Sequence, residues 1–133
     1  MTIEQLCAHY RGYLDCLNTR DWQSLANFVH ADVHYNGERI GLDGYRAMLE
    51  ADVSAIPDLH FALEEVVAEP PVLAARLFFA CTPVGRLFDL PVNGRRVEFR
   101  ENVFYRFRDG RIHRVWSVID KSAVAEQVAG PTG

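Results

Sequence analysis

The dipeptide Asp109-Gly110 constrains this chain more than any other feature. It sits between two long runs that alternate apolar and polar residues, Val97 to Phe107 and Ile112 to Ile119. Asp and Gly both tolerate positive φ, so the pair closes a tight hairpin and commits both flanks to antiparallel pairing. A two-residue turn also predicts a register. Arg108 faces Arg111, Phe107 faces Ile112, Tyr105 faces Arg114, Val103 faces Trp116, Glu101 faces Val118 and Phe99 faces Asp120. Opposed residues share a face, as do residues two apart. The expected inner face therefore holds Phe99, Glu101, Val103, Tyr105, Phe107, Ile112, Arg114, Trp116, Val118 and Asp120.

The rest of the chain surrounds that hairpin with a mixed pattern. Ile3, Leu6, Cys7, Tyr10, Leu14 and Leu17 recur at the helical period, and Thr2 with Gln5 forms a capping box. A second helix is predicted after Asp21, with Trp22, Leu25, Phe28 and Val29 as its stripe. Val33 to Tyr35 reads as a short strand ended by Asn36-Gly37. A third helix follows Gly41, with Tyr45, Met48, Leu49, Val53 and Ile56 on one face, and Pro57 ends it. Leu59 to Ala68 and Val72 to Thr82 are two further strands, separated by Pro70-Pro71, and Lys121 to Val128 forms a short closing helix. Helices first and antiparallel strands later is an α+β pattern. A long sheet with helices on one face curls around them and leaves a concave space for a ligand.

Composition narrows the function. At 133 residues the chain suits one domain, taken as 1–129, with 130–133 as a flexible tail. A net charge of −4 argues against a nucleic-acid partner. No apolar run is long enough to span a bilayer, and the N-terminus lacks a signal-peptide pattern, so a cytoplasmic protein is expected. Cys7, Cys16 and Cys81 have no C-x-x-C spacing and read as buried thiols. Seven of the fourteen basic residues fall between Arg95 and Arg114, which fits the polar side of a hairpin.

Two carboxylates on an apolar face carry the chemistry. Desolvation and mutual repulsion raise the pKa of at least one of Glu101 and Asp120, and such a group can abstract and return a proton. The alternatives are an ion pair with Arg114, Arg106 or Arg76, or a helix N-cap made by Asp120. His60 is a candidate acid or donor at the start of a strand. His113 falls on the opposite, exposed face. His30 and His34 are four apart but a helix end lies between them and they lack a third ligand, so no metal site is expected there.

Gly41-Leu42-Asp43-Gly44-Tyr45-Arg46, Ile56-Pro57-Asp58-Leu59, Cys81-Thr82-Pro83-Val84-Gly85 and Asn93-Gly94-Arg95-Arg96-Val97-Glu98-Phe99 follow one another in order. Tyr105-Arg106-Phe107-Arg108-Asp109-Gly110-Arg111-Ile112 comes next, then Trp116 and Asp120. Together they resemble the SnoaL-like polyketide cyclase family of the nuclear-transport-factor-2-like superfamily. The resemblance implies a cone-shaped, curved antiparallel sheet wrapped around N-terminal helices, usually a homodimer, and a pocket inside the curl. It also implies cofactor-free cyclase, ester cyclase or isomerase chemistry, an intramolecular aldol step with Asp120 as acid and base. Glu101 and His60 are its expected helpers. Trp116, Arg114, Tyr105, Phe99, Val103 and Arg76 are the expected contacts for a small apolar or carbonyl-containing ligand. A binding domain without chemistry, or an assembly module using the outer sheet face, are the alternatives.

Overall fold

The computed structural model describes residues 1–92 and 94–129; the expected tail at 130–133 lies outside them. Helix α1 (Ile3–Asn18) starts at the anticipated capping box. Thr2 Oγ1 accepts from Gln5 N at 3.1 Å, and Gln5 Oε1 accepts from Thr2 N at 2.9 Å. Its buried stripe is Leu6, Tyr10, Tyr13, Leu14 and Leu17, a helical spacing that packs one face on the sheet. At its far end Asn18 bonds both backbone polar groups of Phe61, which pins the entry to the sheet.

Asp21 caps a 3-10 turn over Trp22–Asn27, shorter and tighter than the predicted helix. The chain leaves it at Phe28, so Val29 opens strand β1 (Val29–Tyr35), which begins four residues earlier than the pattern suggested. Strand β2 (Glu38–Arg39) turns back on it. Helix α2 (Gly41–Ala55) buries Tyr45 and Leu49 and stops before Pro57. Strands β3 (Ala62–Glu69) and β4 (Val72–Cys81) follow. A two-strand excursion, β5 (Arg86–Leu87) and β6 (Leu90–Pro91), precedes the long pair β7 (Val97–Arg108) and β8 (Arg111–Ile119). Helix α3 (Lys121–Ala129) closes the described chain.

The six-stranded sheet runs β2-β1-β8-β7-β4-β3. Its pairings are antiparallel except β1 with β8, which are parallel. One core runs from α1 through the concave sheet face, with Tyr10, Leu73, Leu77, Val97, Ile112 and Val115 almost fully buried.

The hairpin register departs from expectation at one residue. Arg108 faces Arg111 and Phe107 faces Ile112 as the turn dictates, but Arg106 then faces Arg114. His113 is the extra residue of a β-bulge, and a bulge displaces everything beyond it by one position. Tyr105 consequently faces Val115, Val103 faces Ser117 and Glu101 faces Ile119. The inner face of β8 is Val115, Ser117 and Ile119. Arg114, Trp116 and Val118 pair with Arg106, Phe104 and Asn102 on the outer face. His113, expected to be exposed, is 7% exposed because the side chains of His30, Asp32 and His34 on β1 pack against it on the outer face.

Candidate active site

A cavity of about 220 Å³ lies between the concave face and helices α1 and α2. Tyr13 and Leu14 from α1 form one wall, and Tyr45, Met48, Leu49 and Asp52 from α2 form another. The sheet contributes Phe79 from β4, Phe99, Glu101, Val103 and Tyr105 from β7, and Val115 and Ile119 from β8. Leu87 and Phe88 of the β5–β6 excursion also line it.

Two carboxyl groups face this largely apolar space. Glu101 points inward from the middle of β7, where burial pushes its pKa up. Ser117 Oγ, diagonally across on β8, donates to Glu101 Oε2 and partly offsets the rise, and the nearby Asp52 charge adds to it. Ser117 is itself fixed, since its backbone N donates to Asn36 Oδ1 at 2.8 Å. Asp52 sits in the last turn of α2 and is exposed, while still contributing to the cavity lining. Surrounding protein still pushes its carboxyl up to about 6.

Phenols complete the polar lining. Tyr13 and Tyr45 share a hydrogen bond of 2.6 Å between their hydroxyls, and Tyr105 shares one of 3.0 Å with Tyr10 behind it. Burial raises the pKa of all four, and the Glu101 charge adds to that. They stay neutral around neutral pH and act as donors. The site thus pairs one carboxyl titrating near neutrality with a second raised one and with fixed O–H donors. That combination fits proton removal next to a carbonyl and stabilisation of the resulting oxyanion.

Of the residues anticipated from sequence, Glu101, Tyr105, Phe99 and Val103 come together here. The others lie elsewhere. Asp120 is exposed, and its Oδ1 accepts from Ala123 N at 3.1 Å, the N-cap alternative. Trp116 is 43% exposed on the outer face because of the bulge, and Arg114 is beside it on that face. Arg76 is exposed on β4, with Nε donating to Asn102 Oδ1 at 3.1 Å. His60 is exposed between Leu59 and Phe61, the residues that do line the cavity. Asp52 and Tyr13 were not anticipated. Asp52 nevertheless lies three, four and seven residues after Leu49, Met48 and Tyr45, on their helical face.

Residues 8–128 match the SnoaL-like polyketide cyclase family. The chain belongs to that family. A crystal structure of a SnoaL-like polyketide cyclase from Agrobacterium tumefaciens is 50% identical, with a TM-score of 0.93, over 97% of this chain and 100% of that one. TsrD from Streptomyces laurentii is 26% identical, with a TM-score of 0.79, over 95% and 93% of the two chains. IdmH from Streptomyces antibioticus is 20% identical, covers 95% and 99%, and shares the fold with a TM-score of 0.82. No curated protein matches the chain. Membership settles the architecture of this SnoaL-like domain, a curved sheet with N-terminal helices in the nuclear-transport-factor-2-like manner.

Proposed function

We propose that this SnoaL-like protein is a cyclase or isomerase of a small carbonyl compound, an ester-cyclase-type substrate included. Its own carboxyl groups would serve as acid and base, without a cofactor. The observation that carries the reading is that Asp52 and Glu101 open into one apolar, tyrosine-lined cavity. In an aldol-type closure, the Asp52 carboxylate takes the α-proton. The phenols of Tyr105 and Tyr13 donate to the enolate oxygen. The enolate carbon then bonds to a second carbonyl of the same molecule, and the new alkoxide takes a proton back from a carboxylic acid. Phe79, Phe99 and Val103 hold the apolar body of the substrate. Asp52 replaces Asp120 as the base, because Asp120 is occupied in capping α3.

The test is turnover of diketones able to close intramolecularly. Asp52→Asn and Glu101→Gln are expected to lower kcat about a hundredfold or more, whereas Asp120→Asn stays within a few fold. Full activity in Asp52→Asn sinks the mechanism. The second reading is a binding domain without chemistry, favoured by the Ser117 bond that already engages Glu101. A ligand recovered unchanged from the purified protein, with no turnover of any diketone, selects it.

The proposal extends to a homodimer built on the outer sheet face. Val67, Ala74, Phe104 and Trp116 stand in one row across β3, β4, β7 and β8. Val67, Phe104 and Trp116 are exposed, as is Val118 beside them. A row of exposed apolar side chains marks an association surface. The proposal places the protein in the cytoplasm as one domain over 1–129. It rests there on three unpaired cysteines; among the described residues no helix is long and apolar enough to cross a membrane.

A further inference from the structure

The bulge that turns Trp116 outward also assembles a second group of side chains. Asp32 and His34 are two apart on β1, and His113 reaches them across the parallel β1–β8 junction. Each offers one donor atom, and the three atoms lie within 4.8 Å of one another. His34 Nδ1 and His113 Nε2 are both buried and have no hydrogen-bond partner among the described residues. A buried polar atom left unpaired is costly and calls for an explanation. His113 is 7% exposed, and its Nε2 is aimed at Asp32 Oδ2 from 3.6 Å, beyond hydrogen-bond range.

The surroundings leave these donors available. Arg39 Nε occupies Asp32 Oδ1, so Oδ2 remains directed toward His113. His30 packs against His113 but is already engaged. Its Nδ1 accepts from Asp32 N at 3.0 Å, and its Nε2 lies 3.7 Å from Asp109 Oδ2. His30 therefore positions the Asp32 backbone and does not supply a fourth donor. Two imidazoles and one carboxylate form a donor set that suits borderline divalent ions.

We propose that Asp32, His34 and His113 bind a divalent transition-metal ion of the zinc class. Bonds of about 2.0–2.2 Å place tetrahedral donors roughly 3.4 Å apart. The trio therefore has to close by about an ångström, within reach of small side-chain rotations. A water completes the coordination, as three protein donors leave one position open. Arg39, and Arg114 opposite His34, add positive charge beside the site and moderate its affinity. The ion clamps β1 to β8. Tyr35, next after His34, and its partner Val115, two residues after His113, line the cavity, so the clamp braces one cavity wall from behind. This site is separate from Asp52 and Glu101 and stands whether or not the pocket is catalytic.

The test uses the full chain, stripped of metal by chelator and free of any histidine tag, titrated with zinc chloride by calorimetry. One ion per chain and a raised Tm in the presence of zinc are expected. His34→Ala and His113→Ala should each weaken binding by about tenfold or more. His60→Ala and Cys7→Ser should bind as the native chain does. His34 is only half-buried, so its variant keeps the test valid even where His113→Ala does not fold. Absence of binding overturns the proposal, as does His34→Ala binding like the native chain or loss of binding in Cys7→Ser.

Discussion

Replacing Asp52 by Asn should make the folded protein more stable at pH 8 while disabling the pocket. Asp52 titrates at about 6 in the folded chain and at 3.8 as its ordinary value. The folded state therefore holds the Asp52 proton more tightly than the unfolded state does. This stabilisation is complete below about pH 3.8 and is lost as pH rises through about 6. At pH 8 the ionised carboxylate is a net cost to the native state. The difference in pKa would amount to ~3 kcal/mol if fully expressed. Asp52 is exposed, and solvent screening reduces the figure to roughly 1 kcal/mol. Its position in the last turn of α2, where the helix dipole disfavours negative charge, acts in the same direction. Asparagine keeps the shape and helix propensity while mimicking the protonated acid. Urea unfolding of both proteins at pH 4 and pH 8 is the assay. The variant should match the native chain at pH 4 and exceed it by about 1 kcal/mol at pH 8. A variant less stable at pH 8, or a difference independent of pH, refutes the reasoning.

Activity on any diketone substrate should rise with pH through about 6, as Asp52 ionises, and that limb should vanish in Asp52→Asn. Tyr13→Phe removes the partner of the buried Tyr45 hydroxyl and should cost about 1–3 kcal/mol in denaturant unfolding. Adding Tyr45→Phe should recover part of that loss, because no hydroxyl is then left unpaired. Phe104→Lys should shift sedimentation from dimer to monomer, since a charge in the middle of the apolar row opposes its burial. A native chain that sediments as a monomer contradicts the dimer reading.

Much of this fold is legible in the sequence, because periodicity and turn chemistry are local. Thr2 and Gln5 mark the start of α1, Pro57 marks the end of α2, and Asp109-Gly110 marks the β7–β8 turn. What is not local is harder to read. The parallel pairing of β1 with β8 joins segments far apart in the chain, and no pattern within Val29–Tyr35 announces its partner. The bulge at His113 is a single inserted residue, yet it reverses the face of every later β8 residue, and with it the roles expected of Arg114 and Trp116. Ile112 and His113 are both buried in succession, Ile112 in the core and His113 under the β1 side chains His30 and His34, and that second cover comes from a distant segment. Asp52 illustrates the opposite case. Its helical spacing from Tyr45, Met48 and Leu49 is visible in the sequence, but a carboxylate in an apolar stripe gains meaning only when a cavity is found beneath it.

The most direct test of the account is a carbon-13 NMR titration of the Asp and Glu carboxyl groups, which requires no knowledge of the substrate. The account predicts Asp52 at about 6, Glu101 above the usual carboxylate range, and a downward movement of Glu101 in Asp52→Asn. Asp52 and Glu101 both titrating as ordinary exposed carboxyls, with Glu101 unmoved by Asp52→Asn, would contradict it.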